Sequence, residues 1–275
     1  MPNAIRMLNI GLSGTGKTGA LISLAEAGYN IYVLDFDNGA EIIANLTRNK
    51  PEVWNRFHIT TLRDKIAPVN GIPKVRPPLL AYKGAGKALV DWDAENFTLN
   101  DILVVDTLMK MSEAAFNEAL LLGGRLNARP QLQDYGWMAD SVKLYIDMIT
   151  SDDFSAHVVV NTHIQFIGGD EETQTSSRGL PDAKGKEISK SVAINFNTVL
   201  LFRSKGSGPQ TRRVISTQPQ GVIEVKNSNP TGVKPEYSIE TGLAEIFHDI
   251  LGHGPQVRTA ERTPQPQSKE PTLNG

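Results

Sequence analysis

An α/β fold, with a mostly parallel sheet flanked by helices and an antiparallel C-terminal extension, is what this sequence predicts. Three observations carry that expectation. Short apolar runs recur at 31–34, 102–105, 158–160 and 199–202, and strands that are apolar on both faces belong to parallel sheets covered by helices. A glycine-rich turn, Gly11-Leu12-Ser13-Gly14-Thr15-Gly16-Lys17-Thr18, links a strand-like run at 5–10 to an Ala- and Leu-rich helical stretch at 17–27, which Gly28 closes. Beyond residue 210, short runs at 213–216, 222–225 and 237–239 are separated by turn chemistry such as Gln218-Pro219-Gln220-Gly221, which reads as antiparallel strands.

The remaining elements follow in order. Between the third and fourth strands a helix is expected at about 135–149, with Trp137, Leu144, Tyr145 and Met148 on one side as a core-facing stripe. A helix over Gly242–Leu251 is expected to close the domain. Residues 50–100 hold Pro51, Pro68, Pro73, Pro77 and Pro78 together with Gly84 and Gly86. They predict an irregular insertion between the second and third strands rather than a separate domain. From 252 onward the chain is polar and carries Pro255, Pro264, Pro266 and Pro271. Such a stretch cannot offset its ordering entropy by burial. The expected organisation is one domain over 1–251 and a disordered tail over 252–275.

Composition narrows the class. Hydrophobic residues make up 40% of the 275, enough for a core, and the net charge of −2 gives no global basic field. The absence of cysteine excludes disulfides and thiolate-bound zinc. No apolar run of about 18 residues predicts a membrane span, and the first strand begins at once without a signal peptide. A soluble cytoplasmic protein is the expectation.

Residues 11–18 fit G-x-x-x-x-G-K-[ST], the phosphate-binding P-loop, so the chain is expected to handle a nucleoside triphosphate. Gly11, Ser13, Gly14, Thr15, Gly16, Lys17, Thr18 and Gly19 would cradle the phosphates. Backbone N–H groups converge on the anion at a helix N-terminus. Lys17 would reach the β- and γ-phosphates, and the Thr18 hydroxyl would ligate Mg²⁺. Asp106 ends the third strand, where a carboxylate holds Mg²⁺ in such sites. Asp35 and Asp37 end the second strand; Asp37 is a candidate to polarise the attacking water or to cap the next helix, and Asp35 is expected to be structural. His163, just past the fourth strand, is a candidate γ-phosphate sensor. The segment 165–190 is a long polar loop whose basic and acidic residues offset each other. A second basic cluster, Arg203, Lys205, Arg212 and Arg213, has no acid between its members and reads first as a solvated hairpin.

This order of elements resembles the RecA-like P-loop ATPase core, and more narrowly the phage-type RecA-like proteins of single-strand annealing and recombination. The resemblance spans about residues 4–250. It rests on the P-loop, the acid after the second strand, Val104-Val105-Asp106-Thr107, and the polar residue after the fourth strand. It implies ATP and Mg²⁺ as ligands, with Asp37 where a glutamate usually activates water and His163 where a glutamine usually senses the γ-phosphate. It implies that 165–190 is a mobile DNA-contacting loop and that single-stranded DNA is the partner. Val225-Lys226-Asn227, followed by Lys234-Pro235-Glu236-Tyr237, resembles a RecA strand whose two lysines reach a neighbour's phosphates; Lys226 matches the first, and Ser228 stands at the second. The resemblance therefore implies a homo-oligomer with the nucleotide near a subunit interface. The chain shows no arm before its first strand, so its assembly is expected to differ, as rings or only on DNA. Two other readings stay open: a P-loop kinase of a small substrate, for which 165–190 carries only one arginine, and a nucleotide-gated binding module with little turnover. A transport ATPase lacks its LSGGQ-type signature here. Asn49-Lys50-Pro51-Glu52 is not the N-K-x-D of a GTPase.

Overall fold

The computed structural model describes residues 4–168 and 178–255. Strand β1 (Arg6–Gly11) runs through the P-loop into α1 (Lys17–Glu26). Strand β2 (Asn30–Asp35) follows, then α2 (Glu41–Leu46), α3 (Pro51–Trp54) and β3 (Phe57–Thr61). A hairpin of β4 (Lys65–Val69) and β5 (Ile72–Arg76) precedes α4 (Ala81–Asp91) and β6 (Asp101–Asp106). Next come α5 (Leu108–Leu122), α6 (Leu132–Thr150), β7 (His157–Thr162) and a second hairpin, β8 (Ile164–Ile167) with β9 (Arg178–Pro181). The chain ends through α7 (Lys186–Ser191), β10 (Thr198–Lys205), β11 (Arg212–Ser216), β12 (Glu236–Ser238) and α8 (Gly242–Leu251).

Eight strands form one sheet in the order β12-β11-β10-β1-β7-β6-β2-β3. The six from β10 to β3 are mutually parallel, and β11 and β12 add antiparallel at one edge. This is the α/β class and the antiparallel extension that the sequence predicts. Alternate residues divide between two cores. Leu8, Ile10, Leu103, Val105, Val158 and Val160 pack against α4, α5 and α6. Met7, Ile102, Val104, Val159 and Leu200 pack against α1 and α8. Each such buried aliphatic side chain contributes about 1.5–3 kcal/mol. The period of two in burial is the pleat of a strand covered on both faces.

Helix ends are closed locally. After α1, the Tyr29 N–H donates to Leu24 O at 3.1 Å and the Gly28 N–H to Ala25 O at 3.0 Å, with Gly28 at φ +107°. These are the two bonds of a Schellman stop, whose left-handed residue favours glycine. The carbonyls at the end of α6 are gathered by Arg6, whose guanidinium donates to Thr150 O (3.3 Å), Ser151 O (2.8 Å), Phe154 O and Ala156 O. That network fixes the turn feeding β7 into the sheet beside β1.

Four expectations are corrected. Residues 50–100 are not an irregular insertion: they supply the edge strand β3, the β4–β5 hairpin and α4, whose Ala81, Ala85 and Ala88 enter the core. Helix α6 buries Met138, Val142, Tyr145, Ile146 and Ile149, whereas Trp137, Leu144 and Met148 are exposed; of the expected stripe only Tyr145 is core. Residues 222–225 form no strand; Ile223 and Lys226 make isolated bridges to Gly179, Gln220 and Val199. The segment 165–190 has structure of its own in β8, β9 and α7, although 169–177 lie outside the described residues. The tail beyond 255 lies outside them as well.

Candidate nucleotide site

Parallel strands place their C-terminal ends on one edge, and an open α/β sheet binds its ligand in the crevice there. Here β1 delivers the P-loop to that edge, β2 delivers Asp35, β6 delivers Asp106 and β7 delivers Asn161 and His163. The register sets Asp35 opposite Asp106, and Asp106 opposite Asn161.

The P-loop is held by its own side chains. Thr15 Oγ1 donates to Leu12 O at 2.8 Å, and Lys17 Nζ donates to Gly11 O at 2.9 Å and Leu12 O at 3.0 Å. Lys17 is buried. Desolvation pulls its pKa down to about 8, against the opposing pull of Asp106 and Asp37. A lysine held this way is a short, dry cation aimed along the loop.

Thr18, on the first turn of α1, donates its hydroxyl to Asp106 Oδ2 at 2.6 Å. Asp106 is buried, and its pKa is pushed up to about 6. Burial is the main cause; the Thr18 hydroxyl and Asn161 oppose it, and the negative charges of Asp37 and Asp35 add to it. A buried carboxylate beside a hydroxyl, destabilised by two further acids, is a donor set that a hard divalent cation would relieve. Among the described residues no group of three or more His, Cys, Asp or Glu side chains could hold a metal by itself. The set therefore fits a cation shared with phosphate oxygens, the usual way Mg²⁺ is bound.

The turn after β2 closes over this pair. Asp35 accepts the Gly39 and Ala40 N–H groups at 3.0 and 3.4 Å, and Asp37 Oδ1 accepts the Gly39 N–H at 3.1 Å. Asp35 thus holds the turn while Asp37 stays half-buried, close enough to act electrostatically on Lys17 and Asp106. Gly39 allows the close approach: a Cβ there would lie 2.9 Å from Asp37 Oδ1, 3.5 Å from Thr18 Oγ1 and 3.8 Å from Asp106 Oδ2. The motif reading missed Gly39, although a glycine two residues after the acid was its signal.

Asn161 was missed too. Asn9 Nδ2 donates to Asn161 Oδ1 at 3.0 Å, linking the P-loop strand to β7 beneath the site. Arg213 stood in the basic cluster but not in the site. Glu236 pairs with Arg203 at 2.9 Å, Lys205 at 3.1 Å and Arg212 at 3.9 Å. Arg213 turns instead to the P-loop, where a Cβ on Gly16 would meet its Cδ at 3.4 Å and Ile239 Cγ1 at 3.1 Å. The cluster does lie on a largely exposed hairpin, β10–β11, as expected, with three of its cations paired to Glu236 of β12 and one arginine beside the loop.

His163 and Lys226 are placed differently. His163 follows β7 two residues past the level of Asp106, and its Nδ1 is buried without a hydrogen-bond partner among the described residues. It helps hold down the Asp182 carboxyl, which burial otherwise raises. Lys226 exchanges backbone bonds with Val199, which pairs with Leu8. That is three residues short of the P-loop end, roughly 10 Å at ~3.3 Å per residue. Within one chain it is not gathered with Lys17, and partial burial lowers its ammonium pKa. No helix among the described residues is long and apolar enough to cross a membrane.

The structure is similar to a KaiC-like protein from the hyperthermophilic archaeon Pyrococcus horikoshii OT3, with 12% identity, 86% of both chains covered and a TM-score of 0.46. It is also similar to the flagellar accessory protein FlaH of Methanocaldococcus jannaschii, with 8% identity, 86% of this chain and 84% of that one covered, and a TM-score of 0.42. No curated protein matches the chain. A family model described as an AAA domain matches residues 3–228, from before β1 to the stretch after Lys226. With a P-loop on a mostly parallel α/β sheet, and with that model covering most of its length, this chain belongs to the AAA domain family.

Proposed function

We propose that this chain binds ATP on the Gly11–Thr18 loop, hydrolyses it with Mg²⁺, and uses the nucleotide state to control its grip on single-stranded DNA. The observation that supports this best is the convergence of Lys17, Thr18, Asp106 and Asp37 at one edge of the sheet. Mg²⁺ held by the Thr18 hydroxyl and the Asp106 carboxylate would neutralise charge developing on the transferred phosphoryl group. Lys17 leaves the carbonyls of Gly11 and Leu12 for phosphate oxygens. Asp37 orients the attacking water and accepts its proton. His163 reports on the γ-phosphate from the end of β7 and passes that state into β8–β9. Lys226 acts on a neighbouring subunit's nucleotide in a homo-oligomer. DNA as the partner rests on the resemblance to recombination ATPases, an argument by analogy.

A second reading, a nucleotide-gated module with little turnover, has one observation in its favour. Asp37 Oδ1 already accepts the Gly39 N–H, so its capacity as a base is shared.

Single-stranded DNA binding, read by fluorescence anisotropy at fixed salt with and without Mg²⁺ and a slowly hydrolysed ATP analogue, tests the proposal. Tight binding should require the analogue and vanish in Lys17→Ala. Absence of binding in every nucleotide state would overturn the DNA reading. Hydrolysis below one turnover per hour beside intact binding would favour the gated module.

A further inference from the structure

The β4–β5 hairpin stands on the same edge of the sheet as the P-loop. It is rooted through β3, which runs parallel to β2, and the Leu62 N–H donates to Asp35 O at 2.8 Å. The ribbon turns through Asn70-Gly71, both at positive φ, as a tight two-residue hairpin does. A second attachment fixes it: the Val75 N–H donates to Asn127 Oδ1 and Asn127 Nδ2 donates to Val75 O, each at 2.8 Å.

Its charge distribution is one-sided. Lys65 faces Arg76 across the ladder and Ala67 faces Lys74, so Lys65, Lys74 and Arg76 share one face. Arg63 is exposed just before the ribbon, and Arg129 is exposed two residues past Asn127. Among the described residues none of these five cations has an ion pair. The single acid in 61–78, Asp64, is spent inward, accepting the Leu80 and Ala81 N–H groups at 3.0 Å and the Asn117 amide at 3.2 Å. Like charges directly opposite in a two-stranded ribbon are destabilising, and here nothing in the described chain compensates them. Between the ribbon and Asn127 lies a cleft of about 320 Å³ lined by Val69, Lys74, Val75, Arg76, Pro77 and Asn127.

We infer that this ribbon is a nucleic-acid-binding arm whose cationic face lies along a sugar–phosphate backbone. A row of cations along an extended ribbon matches a polymer of evenly repeated negative charge. The absence of aromatic side chains from 61–78 disfavours a membrane interface. A two-stranded ribbon also has the width that a duplex groove admits. The inference rests on the nucleic-acid reading above for its class of partner and adds the surface that makes the contact.

The test is anisotropy of a labelled 30-nucleotide strand and of the same sequence as a duplex, across a salt series, with the full chain, Mg²⁺ and the ATP analogue. The variant K65Q/K74Q/R76Q should lose at least about tenfold in affinity. Its slope of log affinity against log salt should fall by about 2, three contacts at ~0.7 each for a single strand. Hydrolysis without DNA and the melting temperature should stay at wild-type values. The swap K65R/K74R/R76K should keep wild-type binding; loss in the swap would assign the effect to ribbon shape and overturn the inference. Wild-type affinity and slope in the glutamine variant would overturn it while leaving the DNA reading standing. No binding by the wild type would overturn that reading itself. Equal displacement by polyglutamate of matched charge would assign the arm to an acidic polypeptide and also overturn it. The strand and duplex arms tell which form of nucleic acid is held.

Discussion

The P-loop and the β4–β5 ribbon are two cationic features on one edge of the sheet, and they solve opposite problems. The P-loop offers one lysine, buried, desolvated and tied to two carbonyls, with the rest of its positive potential in backbone N–H groups. The ribbon offers side-chain cations, exposed at Lys65 and Arg76 and half-buried at Lys74, that are unpaired among the described residues. A compact anion that must be gripped in one geometry favours the first arrangement, because desolvation strengthens each contact and the helix N-terminus costs no reorganisation. A long, hydrated polyanion favours the second, because counterion release supplies the affinity and no single contact needs exact geometry.

The comparison can be broken most sharply at Lys17. Lys17→Ala should abolish hydrolysis within the limit of a phosphate-release assay while leaving the fold intact by circular dichroism. Wild-type turnover in that variant would move the site elsewhere. Asp106→Asn should come next, with Mg²⁺-dependent nucleotide affinity falling by at least about tenfold in titrations with and without the ion. The same change should not lower the melting temperature of the ligand-free protein, since it removes a carboxylate that burial disfavours. A large drop would mean that Asp106 is held for stability rather than for a cation.

The pH dependence sharpens this. Asp106 has its pKa raised from an ordinary 3.8 to about 6, so the folded, ligand-free protein holds that proton more tightly than the unfolded chain. Its contribution to stability is full below about pH 4 and is lost as pH rises through about 6. Wild type should lose stability across that window relative to Asp106→Asn, and parallel profiles would remove Asp106 as the cause. Gly39→Ala should act more mildly. The added methyl crowds Asp37 Oδ1, so turnover should fall several-fold with a melting temperature within a few degrees of wild type; unchanged turnover would place Asp37 outside the reaction. Smallest of all, ending the chain at Pro255 should leave the melting temperature unchanged within about two degrees, and a larger drop would show that the tail docks on the core.

The sequence disclosed the P-loop side of this comparison better than the ribbon side. A phosphate cradle is built from consecutive residues, so its spacing is visible, and the four apolar runs marked the strands carrying Asp35, Asp106 and His163 to the same edge. The insertion after β2 was obscured because two of its prolines, Pro68 and Pro73, sit opposite each other in a two-stranded ribbon outside the main sheet, where they do not interrupt its ladder. In α6 two stripes have helical spacing: Met138, Val142, Tyr145 and Ile149, and Trp137, Leu144 and Met148. They differ by about one residue of rotation, and only tertiary packing decides which turns inward. Gly39 carried a local signal, its place two residues after Asp37, but Asn161 and Arg213 were invisible for another reason. Their roles lie in what they approach across the sheet, which no local pattern encodes.

On the proposed site, the Lys17 ammonium and the Asp106 carboxyl would also make nucleotide binding a proton-exchange event. Phosphate beside Lys17 raises a pKa that now sits at about 8, so near that pH the complex draws protons from solution. A cation beside Asp106 lowers a pKa of about 6, so near that pH the complex sheds them. The heat of binding measured in buffers of different ionisation enthalpy should therefore reverse its buffer dependence between the two pH values, and the crossing point reports the balance between the phosphate and the metal.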